Sequence, residues 1–296
     1  MKGLLKPDTI RISDLLKSVA DAEFVLPRFQ REFVWNKNQV IELLNSIYEQ
    51  IPIGIFILWD SDQLGEAYRF IGDVTPQSGP KRHSKYVLDG QQRLTSLLFS
   101  LRPEGIKLPQ EIITQYDIYF SVDDEQFYPK SQKKKVCFPA EILGSSDKFM
   151  RFYAENSNSK KATISKTILE KLNLFRDYEI PLLTFDEKVD LDVVSKTFQY
   201  LNAKGTPLTL INLIAAKTYS PSIFDLYDRV ETTEKVLEDA HFGSEDFSGE
   251  DLIRSIAIYN SINNHPKTIL ESLKTEHLVR DYNKAEKAYL DALIFI

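Results

Sequence analysis

YVLDGQQRLTSLL (Tyr86–Leu98) is the stretch on which the reading of this chain turns. Tyr86–Leu88 suits a short buried strand, and the leucines that follow, Leu94, Leu97, Leu98 and Leu101, recur at helical spacing on one face. Between them Gly90 permits a backbone angle that a Cβ would penalise. A helix that begins directly after a strand exposes unpaired N–H groups and the positive end of its dipole, an arrangement that binds phosphate. Arg93, in the first turn, can add a bidentate grip on phosphate oxygens. Gln91 and Gln92 can orient a water or a phosphate oxygen, and Asp89 can accept from a hydroxyl or help hold Mg²⁺. A plain strand–helix turn, capped by Asp89 and carrying a surface arginine, fits the pentapeptide equally well.

Working outward, Ser13 is expected to cap a short helix carrying Leu15, Leu16 and Val19. FVLPRFQREFVW (residues 24–35) reads as extended, because Pro27 keeps Leu26 out of helical geometry. Asn36 looks like an N-cap for a helix whose apolar face is Val40, Ile41, Leu43, Leu44, Ile47 and Tyr48. IGIFILW (residues 53–59) is apolar on both alternations, as a buried strand is. Residues 116–122 and 180–185 read as further strands and 161–178 as a helix. Beyond 190 the patterns are helical: Gly205 closes one helix, Pro207–Thr209 opens the next, and segments near 222–240, 250–262 and 266–296 follow. The expected class is α+β, with a mixed α/β domain over 1–185 and an all-helical region over 186–296.

Composition narrows the functional classes. The formal charge of −6 argues against a protein that coats nucleic acid without selectivity. Charge is uneven, however. Lys81, Arg82 and Lys85 precede the glycine turn, Lys130, Lys133, Lys134 and Lys135 form a second basic cluster, and Asp225–Asp251 is acidic. A local basic face could still meet DNA, although solvated loops explain the lysines as well. A single cysteine, Cys137, excludes an internal disulfide and a cysteine-rich zinc site. No run approaches the roughly 18 apolar residues of a membrane span, and MKGLLKPDTI lacks the apolar core of a signal peptide, so a cytoplasmic protein is expected.

Two further segments carry candidate chemistry. PRFQREFVW (Pro27–Trp35) interleaves Arg28, Gln30 and Arg31 with Phe29, Phe33 and Trp35, a mixture suited to phosphate gripping with base stacking. Phe33 and Trp35 fit a core position more readily. In TFQYLNAKGTPLT (Thr197–Thr209), Gly205 is a natural helix C-cap; a functional role would have Asn202 and Lys204 face the phosphate site.

Taken in order, PRFQREFVW, PIGIFILW, YVLDGQQRLTSL and FQYLNAKGTPLT resemble the N-terminal domain of GmrSD-type restriction endonucleases, a family of bacterial anti-phage domains with a DGQQR signature. The match spans residues from about 10 to 220. That family is similar in fold to the ParB/sulfiredoxin group and includes phosphorothioate-sensing SspE-type proteins. The resemblance implies an NTP site (GTP or ATP, with Mg²⁺ as a candidate companion) that turns over through Asp89, Gln91, Gln92 and Arg93. Gly90, Arg28, Gln30, Arg31, Thr95, Asn202 and Lys204 complete the expected nucleotide-binding set. It also implies modified DNA and a nuclease domain or subunit as partners; self-association is compatible with the sequence. One departure stands out. His83, His241, His265 and His277 are scattered without metal-ligand spacing, so no metal site is expected and this chain is not expected to cut DNA by itself. A non-hydrolysing DNA-modification sensor, a ParB-like nuclease and a toxin-neutralising or scaffold protein are the competing functions.

Overall fold

The computed structural model describes residues 5–28, 30, 32–60, 68–79, 81, 84–132, 136–157, 164–187, 189, 193, 209–218, 223–239, 242 and 248–294. The class is α+β. The chain forms two compact units. One comprises Met1–Leu26, Gln30–Asp62 and Arg69–Val189; the other comprises Pro27–Phe29, Gln63–Tyr68 and Asp190–Ile296.

The first unit is built on strands β1 (Leu5–Arg11), β2 (Phe24–Pro27), β3 (Phe56–Asp60), β4 (Tyr68–Arg69), β5 (Lys85–Asp89), β6 (Ile118–Ser121), β7 (Gln126–Pro129), β8 (Cys137–Pro139) and β9 (Glu179–Phe185). Six of them form one mixed sheet in the order β1-β9-β3-β5-β2-β4, and the other three form a small antiparallel sheet, β7-β6-β8. β3 runs parallel to β9 and antiparallel to β5, while β2 runs parallel to β5 for two residue pairs only. One end of the large sheet therefore collects the ends of β2 and β5 and the starts of β3 and β9.

Helices α1 (Ile12–Ala20), α2 (Lys37–Tyr48), α3 (Gln91–Leu101), α4 (Gln110–Gln115), α5 (Ser146–Ser157) and α6 (Lys166–Arg176) complete this unit. Leu94, Leu97, Leu98 and Leu101 of α3 are fully buried with Leu15, Leu44, Phe56 and Leu172 in one apolar cluster. Each such side chain contributes roughly 1.5–3 kcal/mol of transfer free energy. Asn36 caps α2 as expected, through a reciprocal capping box with Gln39. Ser13 does not cap α1: the helix begins at Ile12, and its N-cap, Arg11, makes no side-chain cap bond. Of the stretch read as extended, 24–35, the strand ends at Pro27, and a turn at Arg28 and a bend at Gln30 follow. Phe33 and Trp35 pack against the core, and Phe33 meets the Phe99 ring edge-on at 5.3 Å.

The second unit is helical where described: α7 (Leu210–Thr218), α8 (Leu226–Asp239), α9 (Gly249–Tyr259), α10 (Pro266–Ser272) and α11 (Thr275–Ile294). The segment read as one helix from 266 onward is two, separated at Leu273-Lys274. The helix expected to close at Gly205 lies outside the described residues. No described helix is long and apolar enough to cross a membrane.

Candidate functional site

β5 delivers the chain to Asp89, and Gly90 follows in the left-handed region at φ 101° before α3 starts at Gln91. The first helical bond runs from the Leu94 N–H to the Gly90 carbonyl at 2.9 Å. A Cβ at residue 90 would lie 2.4 Å from the Phe56 ring, so glycine is required both for the backbone angle and for packing. The turn is buried; Asp89, its side chain 40% exposed, is the member that meets solvent.

Around this turn the signature segments interlock through side-chain amides and one guanidinium. Gln92 Oε1 accepts from the Val34 N–H at 2.9 Å, and Gln92 Nε2 donates to the Glu32 carbonyl at 3.0 Å. Arg93 donates to the Ile53 and Ile55 carbonyls at 2.7 and 3.0 Å, and to Asp89 Oδ2 at 2.9 Å. Its guanidinium also lies 4.9 Å from the centre of the Phe56 ring. Gln30, 9% exposed, donates to the Val87 and Leu88 carbonyls at 3.3 and 2.8 Å. It thereby continues along β5 the edge that β2 leaves after two residue pairs.

These contacts change the roles expected of several residues. Gln30, Gln92 and Arg93 were candidates for direct phosphate or water contact, yet Gln30 donates to the backbone of β5, Gln92 bonds the Glu32–Val34 backbone, and Arg93 bonds the Ile53–Ile55 carbonyls and Asp89. Thr95 is fully buried and its hydroxyl has no hydrogen-bond partner among the described residues, so it does not face a solvent-borne ligand. Gln91 is buried at the start of α3. Arg28 groups with the second unit, where it pairs with Asp225 and Asp228. Burial pushes the Asp225 carboxyl above its usual range, and the Arg28 guanidinium opposes that rise. Arg31, Asn202 and Lys204 lie outside the described residues, as does Phe29.

Three contributors escaped the sequence reading. Arg69 donates to the Gln30 carbonyl at 2.6 Å and pairs with Asp73 at 3.3 Å, holding Gln30 from behind. Gly54, at φ 92°, leaves room for the arginine, because a Cβ there would sit 2.6 Å from Arg93 Nη1. The Tyr178 hydroxyl donates to the Ile51 carbonyl and accepts from the Ile53 N–H. The glycine inside PIGIF was the one sequence signal among these; Arg69 and Tyr178 stand in no motif. Among the described residues no group of three or more His, Cys, Asp or Glu could hold a metal ion. A divalent cation at the turn would take one protein oxygen from Asp89 and the rest from phosphate and water.

Comparison with known proteins agrees with the motif order. The family described as GmrSD restriction endonuclease, N-terminal domain, matches residues 12–219. Uncharacterized protein MJ0686 of Methanocaldococcus jannaschii is 26% identical over 73% of this chain and 42% of its own length. The chain thus spans less than half of the curated relative it matches.

Proposed function

This chain belongs to the GmrSD restriction endonuclease N-terminal domain family, and from that premise we propose that it is the nucleotide-binding, NTP-hydrolysing regulatory domain of a restriction system acting on modified DNA. The observation that carries the reading is the strand–Gly90–helix turn, with Asp89 as its exposed member and its neighbours held in place by Gln92 and Arg93. Phosphate approaches on the Asp89 side and accepts from N–H groups ahead of the first helical bond. Asp89 orients the attacking water or holds Mg²⁺. Arg93 acts through Asp89 and the Ile53–Ile55 loop, as a positioning residue. Phosphoryl transfer asks chiefly for positioning and charge stabilisation, and a rigid turn supplies the first. Turnover then signals to a nuclease partner that modified DNA has been met.

The test is phosphate release from GTP and ATP with Mg²⁺, by the wild-type chain and by Asp89→Asn, with and without phosphorothioate DNA. Turnover by wild type that falls about 100-fold or more in Asp89→Asn supports the reading. Tight binding of modified DNA by a folded chain with no turnover would instead establish a non-hydrolysing sensor.

A further inference from the structure

Arg28 and Gln30, two residues apart in the chain, are anchored in different units. Arg28 groups with the second unit, where its guanidinium pairs with Asp225 Oδ2 and lies 3.2 Å from Asp228 Oδ1. The Arg28 and Asp225 side chains are 25% and 15% exposed, so removing either charge strands the other in a partly dry site. Asp225 is fixed at its other oxygen as well: Oδ1 accepts from the Tyr227 N–H at 3.0 Å, at the head of α8.

The chain re-enters the first unit at Gln30 and, after a second excursion, at Arg69. These two re-entry points are bonded to each other, Arg69 donating to the Gln30 carbonyl at 2.6 Å. The side-chain amide of the same glutamine reaches the Val87 and Leu88 carbonyls, directly ahead of Asp89 and Gly90. Gln30 is buried, so no water stands ready to replace these bonds. Slack is short on both sides of Arg28. At most about 7 Å of extended chain separates residue 28 from residue 30, and the ring of Pro27 fixes its own φ. A change at the head of α8 therefore reaches the end of β5 through one ion pair, two peptide links and one amide.

We propose that this is a coupling device: the clasp of Arg28 on Asp225 and the junction at Gln30 transmit the state of the second unit to the Gly90 turn. Arg28 bears on the turn by holding Gln30 in place. The consequence for nucleotide turnover rests on the Gly90 turn being the phosphate site; the coupling itself does not.

The experiment is amide hydrogen exchange of the whole chain, wild type, Asp225→Asn, Gln30→Ala and the double variant, with phosphate release from GTP and ATP measured on the same samples. Asparagine keeps the cap of α8 and removes the charge that Arg28 grips. Asp225→Asn should speed exchange at residues 88–94, the end of β5 and the first turn of α3, by about 5-fold or more, the lower end of coupling between sites. Residues 118–129 of the small sheet should not change, which separates coupling from general loosening. In the Gln30→Ala background residues 88–94 exchange fast already, and Asp225→Asn should add nothing there while still loosening residues 225–230. Turnover should fall in Asp225→Asn in step with the exchange. Exchange at 88–94 that Asp225→Asn leaves unmoved, or that rises equally at 118–129, overturns the coupling whatever the turnover. Coupled exchange in a wild-type chain that hydrolyses neither GTP nor ATP upholds the device and overturns the hydrolytic reading alone.

Discussion

Gln92 shows how a motif residue can look like a ligand group and serve as a brace. Its amide meets one N–H and one carbonyl of the Glu32–Val34 segment, two groups that lack strand or helix partners of their own. Replacing it with alanine should leave both unpaired at a cost of about 1–3 kcal/mol. Thermal unfolding of Gln92→Ala should therefore shift down by several degrees, with faster proteolysis near residues 30–35. An unchanged unfolding temperature combined with lost nucleotide binding would make Gln92 a ligand group after all. Sequence alone could not separate these roles. The types Gln, Gln and Arg at the start of a helix are legible, but the backbone partners of Gln92 and Arg93 lie 38–60 positions away in the chain. The same non-locality hid Arg69, whose partner Gln30 is 39 positions distant.

Elements were legible in proportion to how deeply they are buried. β5 and α3 stood out because nearly every side chain in them is inside. β3 begins at Phe56 rather than Ile53, because Gly54 at φ 92° ends the extended path before it. β1 was missed: its seven residues, LKPDTIR, are almost wholly exposed, so no apolar alternation marks them, and Pro7 argues against a strand. Within the strand Pro7 has a use, since it removes a donor from a sheet edge, while Asp8 Oδ1 accepts from the Thr9 N–H. In the second unit Asp281 of α11 is 2% exposed and bonded by Arg280 and Asn260. The Arg280 guanidinium, with help from Asn260, holds its carboxyl down to about 2. A carboxylate depressed in the folded state stabilises that state above its unfolded pKa, near 4, and loses the contribution as pH falls toward 2. Helical content followed by circular dichroism should drop across pH 4 to 2, and Asp281→Asn should flatten that dependence. A transition of equal steepness in the variant would place the acid sensitivity elsewhere.

At the scale of the molecule, a net charge of −6 restricts the proposed encounter with DNA to a local surface. Family membership covers residues 12–219 and so includes every contact of the Gly90 turn. All of those contacts lie within the first unit, whereas Arg28, expected beside the phosphate, is committed to carboxylates of the second. What the motif order conveyed was the company of four segments; what it could not convey was which of their side chains brace and which remain for a ligand. Asp89 and the backbone of Gly90 are the groups proposed to meet the ligand. A crystal structure of the chain with a non-hydrolysable GTP analogue and Mg²⁺ tests this most directly. The account predicts phosphate oxygens within hydrogen-bond distance of the N–H groups at the Gly90 turn and Mg²⁺ on Asp89, with the bonds of Gln92 and Arg93 unbroken. A triphosphate bound elsewhere, or gripped by an Arg93 that has released Ile53 and Ile55, would contradict it.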